Sequence, residues 1–475
     1  MTGPEAGDCG LSQNSIQGGL AVSSLNASLS TALSGLMAEQ GAMEATSNNV
    51  ANVNTPGYSR QVPVLVTGDP VVEDRITFGT GVDLKRIESA RDPILEGQIQ
   101  QQTQTQGQLS ALVSALSQTE SNFSSTGGDI GTAISAFFDS INQLSTSPAD
   151  LSLRQNVLTA AGNLATAFNV ASDRLSSQRT GLDGSVQQTV SQINQLTKQI
   201  AQLNQQISNV ANAGDNPGTF IDQRTQLIDQ LSSLIDVSVI PTDNTLTLTT
   251  ASGTALVAGQ QSFSLSTRPD SSGVQHIFSQ AGDITWTIVS GQLAGVLQAR
   301  DQQIPGIQSQ LDTLAAGLAN AANQVQGQGF DLNGNPGANL FNAPPATGAA
   351  ASLSVALTDP SLLAGSSDGS VGNNANVEAL YALRNQTIVN GETPADYYSG
   401  IVFNIGNAAN NASARQSASS LVLQQLSDQR ASVSGVSLDE EAANLMRYQQ
   451  AYAASAQVIS SINSMLQTVI NMKSS

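Results

Sequence analysis

His276 is the only histidine and Cys9 the only cysteine in the 475 residues. Those two counts remove most site chemistry at once. A lone imidazole cannot build a multi-histidine metal site or an HExxH motif, and a lone thiol cannot form an internal disulfide. His276 falls in a strand-like segment and reads as a surface or packed side chain; Cys9 reads as a surface thiol in an unpatterned stretch. Asp331-Leu332-Asn333-Gly334-Asn335 resembles the opening of a calcium loop. Its sixth position is Pro336 where such a loop needs Gly, and its twelfth is Asn342 where it needs Glu, so it reads as a tight turn. Asp439-Glu440-Glu441 gathers carboxylates at the start of a helix, where they complement the helix dipole. There is no P-loop and no G-x-S-x-G. The expectation is no catalytic residue, no cofactor and no metal ligand, which leaves apolar surface as the chemistry to explain.

Composition narrows the partners. Only 11% of the residues are charged, against about 25% in ordinary globular chains. Ser, Thr, Asn, Gln, Ala and Gly take their place. The formal net charge of −19 repels phosphates and no basic cluster offsets it, so nucleic acid is not an expected partner. No apolar run approaches the roughly 18 residues of a membrane span, and no membrane insertion is expected. The first residues hold Glu5 and Asp8 with no apolar stretch, unlike a cleaved secretion signal.

The elements that carry apolar surface are long helices. Residues 1–21 are Gly-rich and aperiodic and read as a disordered leader. Gly18-Gly19 can be encoded as a ribosome-binding sequence and Val22 as a GTG start, so the leader can equally be read as untranslated. From there Val22, Leu29, Leu36, Met43 and Val50 stand seven apart, with Leu25 and Leu33 widening the stripe. Thr55-Pro56-Gly57 ends this helix in a turn, closing a first segment at 22–61. Residues 62–92 form a short β-like connector, with Val62, Val64 and Val66 alternating. Asp92-Pro93 opens a helical stalk over 93–235. Within it Ala161, Phe168, Leu175, Leu182, Thr189, Leu196, Leu203 and Val210 stand seven apart, a rod of roughly 80–90 Å, weakest at Gly181 and Gly184. Period-two alternation then marks an inserted β domain over 236–298, including Ile284, Trp286 and Ile288. Helical spacing resumes over 299–330. Residues 331–394 read as an irregular return with a short strand and helix, 395–435 as stalk again, and 436–475 as a C-terminal helix. Ser437 and Glu440 form a capping box. The fold class is mainly α with an inserted small β domain: paired N- and C-terminal heptad helices, a long helical-bundle stalk and an antiparallel β tip.

The terminal helices each carry an apolar stripe on an otherwise small, neutral surface. Such faces pack against copies of themselves without burying charge. An isolated pair is weakly stable, so both helices are expected to be poorly ordered alone and to order on assembly. The candidate assembly residues are Leu25, Leu29, Leu36, Met43 and Val50 on the first helix. On the last they are Leu438, Leu445, Tyr448, Tyr452, Ile459, Ile462 and Leu466.

Ser23–Gln61, SSLNASLSTALSGLMAEQGAMEATSNNVANVNTPGYSRQ, resembles the N-terminal signature of the flagellar rod, hook and hook-associated axial proteins. Ser434–Ile470, SGVSLDEEAANLMRYQQAYAASAQVISSINSMLQTVI, resembles their C-terminal signature. The interior segments Asn216–Val239 and Gly329–Phe341 are similar to the hook-associated branch. The likeness covers nearly everything from Val22 onward and is weakest in the β insertion. It implies a secreted structural protein of the bacterial flagellum, exported unfolded without a cleaved signal. It further implies self-assembly into a ring at the hook–filament junction, with hook protein and a second junction protein as neighbours and an export chaperone at the C-terminal helix. Two alternatives remain: a hook or distal-rod protein, which would be β-rich over 93–235, and a secreted enzyme fused to axial termini, which would show a cleft with convergent titratable groups.

Overall fold

A computed structural model describes residues 13–73, 76–124, 129–242 and 245–474. Cys9 lies outside them. Helix α1 (Gln13–Ala51) begins ahead of Val22, so residues 13–21 are helical where composition suggested a disordered leader. Strands β1 (Gln61–Thr67), β2 (Val71–Glu73), β3 (Ile76–Phe78) and β4 (Val82–Ser89) follow as nested antiparallel ribbons, β1 on β4 and β2 on β3. Asp92 then caps α2 (Pro93–Ser124), its carboxylate accepting from the backbone N–H of Ile94 at 2.9 Å. Next come α3 (Ile130–Ser145), α4 (Leu151–Asn212) and α5 (Gly218–Leu234). Among the described residues, 93–235 is therefore four helices joined by short connections, with no strand.

The 62 residues of α4 span about 93 Å. Gly181 and Gly184 do not break it, because Leu182 between them packs against three separate apolar cores. Asp183 beside it holds an ion pair with Arg300. Tertiary packing here overrides a local propensity cost of about 1 kcal/mol per glycine.

The β insertion runs β5 (Ser238–Thr242), β6 (Thr245–Thr249), β7 (Ala255–Ala258), β8 (Gln261–Ser262), β9 (Ser266–Pro269), β10 (Gln275–Ser279) and β11 (Gly282–Asp283). The strands make two antiparallel sheets, ordered β5-β6-β7-β8 and β11-β10-β9. The alternation at Ile284, Trp286 and Ile288 is not a strand: Thr285–Thr287 is a 3-10 turn that buries Ile284 and Ile288 and leaves Trp286 68% exposed. Helix α6 (Gly291–Gln298) starts inside the stretch assigned to β structure and continues through a π-helical turn, Ala299–Gln303, into α7 (Ile304–Gln328). Pro305 explains the wide turn, since it offers no N–H to close a regular one.

Beyond α7 the chain is irregular, with α8 (Ala349–Ser352), α9 (Ala375–Ala382) and isolated bridges such as Phe341 to Val355 in place of a strand. Helices α10 (Pro394–Ser434) and α11 (Leu438–Ser474) complete it. Ser437 keeps one half of the capping box, accepting from the Glu440 N–H at 3.5 Å. The Glu440 carboxylate does not reach back; it pairs with Arg60 at 2.8 Å.

Two large cores divide the body along α4. The N-terminal half of α4 packs with α3, α7 and residues 340–405 around Phe137, Phe168 and Phe341. The C-terminal half packs with α5, α6 and the β sheets around Ile193, Leu231 and Leu248. The β domain thus lies along the flank of α4. The irregular return, where Arg154 is buried and donates to the carbonyls of Pro148 and Leu363, closes the other half. A small third core joins α2 to α10.

Glycine lets α2 cross both α6 and α5 closely. A Cβ on Gly295 would meet the Gln108 carbonyl, and one on Gly107 the Ser233 carbonyl. Gly295→Ala is expected to cost about 1–3 kcal/mol by overpacking, read as a lower urea midpoint. An unchanged midpoint would show that the crossing can relax.

Candidate assembly interface and the joint beneath it

Helices α1 and α11 pack on each other, as the paired terminal stripes suggest. The most buried face of α1 is not the heptad ridge. It is Ala32, Ala38, Ala42 and Ala45 with Thr46 and Asn49. Gly35 sits against Ser455 of α11, and Gly41 against Leu84 of β4. Small side chains let backbones approach, and the larger ones are displaced to the flank. At about 100° per residue, Leu29, Leu36 and Met43 lie roughly a quarter turn from Gly35. Leu25, Leu29, Leu36 and Met43 are half-buried and Val50 is exposed, with Leu33 and Met37 open beside them.

On α11 the seam against α1 is better defined. Tyr448 and Ile462 are buried, Leu445, Ile459 and Leu466 are half-buried, and Leu438 and Tyr452 are exposed. A second apolar ridge, Val458, Met465 and Met472, stays open to one side. The paired helices therefore bring the candidate residues onto one unit, yet leave much of their apolar surface uncovered.

Below this pair lies a joint whose charge pairing no sequence pattern shows. Asn49 ends α1 by bonding the backbone of Gln61 twice, donating to its carbonyl at 2.9 Å and accepting from its N–H at 2.7 Å. The Tyr58 hydroxyl donates to the same Asn49 oxygen at 2.9 Å. Burial, and then the Glu441 charge, push the Tyr58 phenol up to about 12, so it stays a donor at neutral pH. Gly57, at φ +76, lies against Gln226 of α5, whose amide donates to the Pro56 carbonyl. The Ser59 N–H donates to Asp222 at 3.4 Å. Arg91 pairs with Asp222 and donates to Ser59 at 3.0 Å and to Thr225. From the end of α10, Arg430 reaches Asp229 at 3.3 Å and Glu96 at 3.5 Å. The Arg60 N–H donates to the Ser434 carbonyl at 2.9 Å.

Asp229 carries the cost of this arrangement. Burial first, and then the neighbouring Glu96, raise its pKa from 3.8 to about 6 despite Arg430. The folded state thus holds a proton that the unfolded chain releases. Stability from this group is full below about pH 4 and is lost as pH rises through about 6. Asp229→Asn is expected to be the more stable protein at pH 7.5, by up to about 2 kcal/mol, and to match wild type near pH 4. Equal urea midpoints at both pH values would refute this.

Away from the joint, a groove of about 1100 Å³ runs between α2 and α4. Ser, Gln, Asn and Gly line most of it, and Asp173 and Arg174 are the ionisable residues on its wall. That lining offers no convergent acid and base. His276 sits between Asp283, at 2.8 Å, and Asp270, at 3.7 Å, on the outer face of the β9–β11 sheet.

The two chain ends, paired on each other beside the helical body, both match families of flagellar axial proteins. Residues 29–58 match the family described as flagella basal body rod protein, and residues 428–472 the C-terminal family of the flagellar basal body rod FlgEFG proteins. Residues 116–341 match the helical domain of flagellar hook-associated protein FlgK. The flagellar hook-associated protein 1 of Bacillus subtilis is 30% identical, over 93% of this chain and 97% of its own length. That of Escherichia coli is 26% identical over 94% of this chain and 99% of its own. The chain belongs to the flagellar hook-associated protein 1 family. The flagellar hook junction protein FlgK of Burkholderia pseudomallei shares the fold, with a TM-score of 0.65 at 20% identity over 71% of this chain and all of that one.

Proposed function

We infer from family membership that the chain is a structural component of the bacterial flagellum, standing outside the cell at the junction of hook and filament. The carrying observation is the helical body over 93–235 between two axial signatures, since a hook or rod subunit would turn to β structure there. The family is one of structural proteins, and our reading is that this member assembles and does not catalyse. The candidate residues on α1 and α11 then serve as the contact between neighbouring copies in a ring. Hook protein would lie on one side of that ring and a second junction protein on the other. An export chaperone would cover α11 before assembly, because its open ridge of Val458, Met465 and Met472 needs cover in the free chain.

Deleting the gene tests this reading. Hooks should form without filaments, with flagellin shed into the medium, and electron microscopy would show it. Normal filaments on the deletion strain would overturn the assignment.

A further inference from the structure

None of the three apolar cores includes a residue of α1 or α11. Among the described residues, the terminal pair therefore meets the body chiefly through polar contacts at the joint. Those contacts come from four places: the 55–61 turn, the start of α2, the stretch of α5 from Asp222 to Asp229 and the end of α10. The ionisable groups facing each other there are Tyr58, Arg60, Arg91, Glu96, Asp222, Asp229, Arg430 and Glu440, with Glu441 close behind. The interface is also not solid. A cavity of about 550 Å³ opens between Gly57, Glu96, Gln226, Asp229 and Arg430.

A polar joint with free volume has different mechanics from an apolar one. Swinging it open exposes no greasy surface, and ions released from each other regain water. Such a joint holds while its polar network is made and opens at small cost, because water can satisfy the groups it exposes.

We propose that the Arg91–Asp222 and Arg430–Glu96–Asp229 pairs are a latch that fixes the 55–61 turn and the end of α10 to α5, and that the order of the free subunit ends there. On one side lies the body with its own cores. On the other, α1 and α11 lean on each other and on the β1–β4 ribbon. The latch then sets the angle between axial helices and body once neighbours order the helices, and it permits that angle to change. This rests on the reading that the terminal helices order on assembly.

Hydrogen exchange of the full free chain, read by mass spectrometry, tests the latch. In wild type, 58–61 and 427–435 should be protected like α4 and α7, while 25–50 and 440–470 exchange at least tenfold faster. Arg430→Gln should speed exchange at 58–61 and 427–435 at least tenfold and leave α4 and α7 unchanged. Gln226→Ala, which removes the bond to Pro56, should loosen 55–61 alone and serves if Arg430→Gln misfolds, which α4 and α7 would report. Unchanged exchange at the joint in the folded variants overturns the latch. Terminal helices as protected as the body in wild type would instead overturn the reading beneath it, and Arg430→Gln would still decide the latch.

Discussion

Arg300→Leu is expected to destabilise the chain by about 3–5 kcal/mol, one of the largest effects of any single change. Arg300 is only 1% exposed and sits on the π-helical turn between α6 and α7. Its guanidinium reaches Asp301 at 2.7 Å, Asp183 of α4 at 2.8 Å and the Gln275 carbonyl of β10 at 2.7 Å. Asp183 in turn accepts from the Gln275 N–H at 3.1 Å. Burial alone would lower the Arg300 pKa; Asp301 and Asp183 raise it above the usual value. Removing the cation strands two carboxylates in the interior and unties the β domain from α4. Two further polar hooks on α4 hold the same domain, Asn194 on Leu265 and Asn204 on both Leu246 and Gly259. The β domain should therefore loosen before the core around Phe168. Urea unfolding followed by circular dichroism measures the loss. Adding Asp183→Leu and Asp301→Leu should recover much of it, because the charges are then gone together. A single variant as stable as wild type would show that water reaches the site and replaces the cation.

The Arg300 network also marks where sequence reading stops. Heptads and caps are local and repeat, so α1, α4, α10 and α11 were legible from Val22, Phe168 and Leu445 onward, and Asp92-Pro93 located the start of α2 within a residue. The insertion between helical stretches was legible for the same reason, as a change of period. Charge pairing carries no such period. Arg91, Asp222, Glu96, Asp229 and Arg430 are scattered over more than three hundred positions, and only the fold brings them together. The same limit explains Trp286. Ile284 and Ile288 are buried as alternation requires, but a 3-10 turn achieves that as well as a strand does and throws the residue between them outward. On α1, counting large side chains located the helix but not its buried face, which the alanines occupy because they permit the closest approach to α11 and the ribbon.

Ile462→Asp is expected to abolish incorporation into flagella while leaving the body folded. Ile462 and Tyr448 are the buried pins of the α1–α11 seam. A lone carboxylate in place of Ile462, which is only 5% exposed, loses its water, with desolvation worth several kcal/mol. Since each 1.4 kcal/mol is about tenfold in an equilibrium, one such change per subunit suppresses assembly by at least about a hundredfold. Leu36→Asp and Leu445→Asp, on the half-buried ridges, should do the same if neighbouring copies cover those ridges. Met465→Asp separates the two roles of α11. Met465 is exposed in the single chain, so a charge there leaves the α1–α11 pair intact and matters only where another subunit or a chaperone lies on it. The matched control is Val72→Asp on the exposed β2–β3 ribbon, which should assemble normally. Immunogold counting of the variant at hook tips, with circular dichroism of the purified chain, reads both outcomes. Wild-type incorporation of Ile462→Asp would mean that the seam between the terminal helices is not needed for assembly. Wild-type incorporation of Met465→Asp alone would confine the assembly surface to the seam and its half-buried flanks.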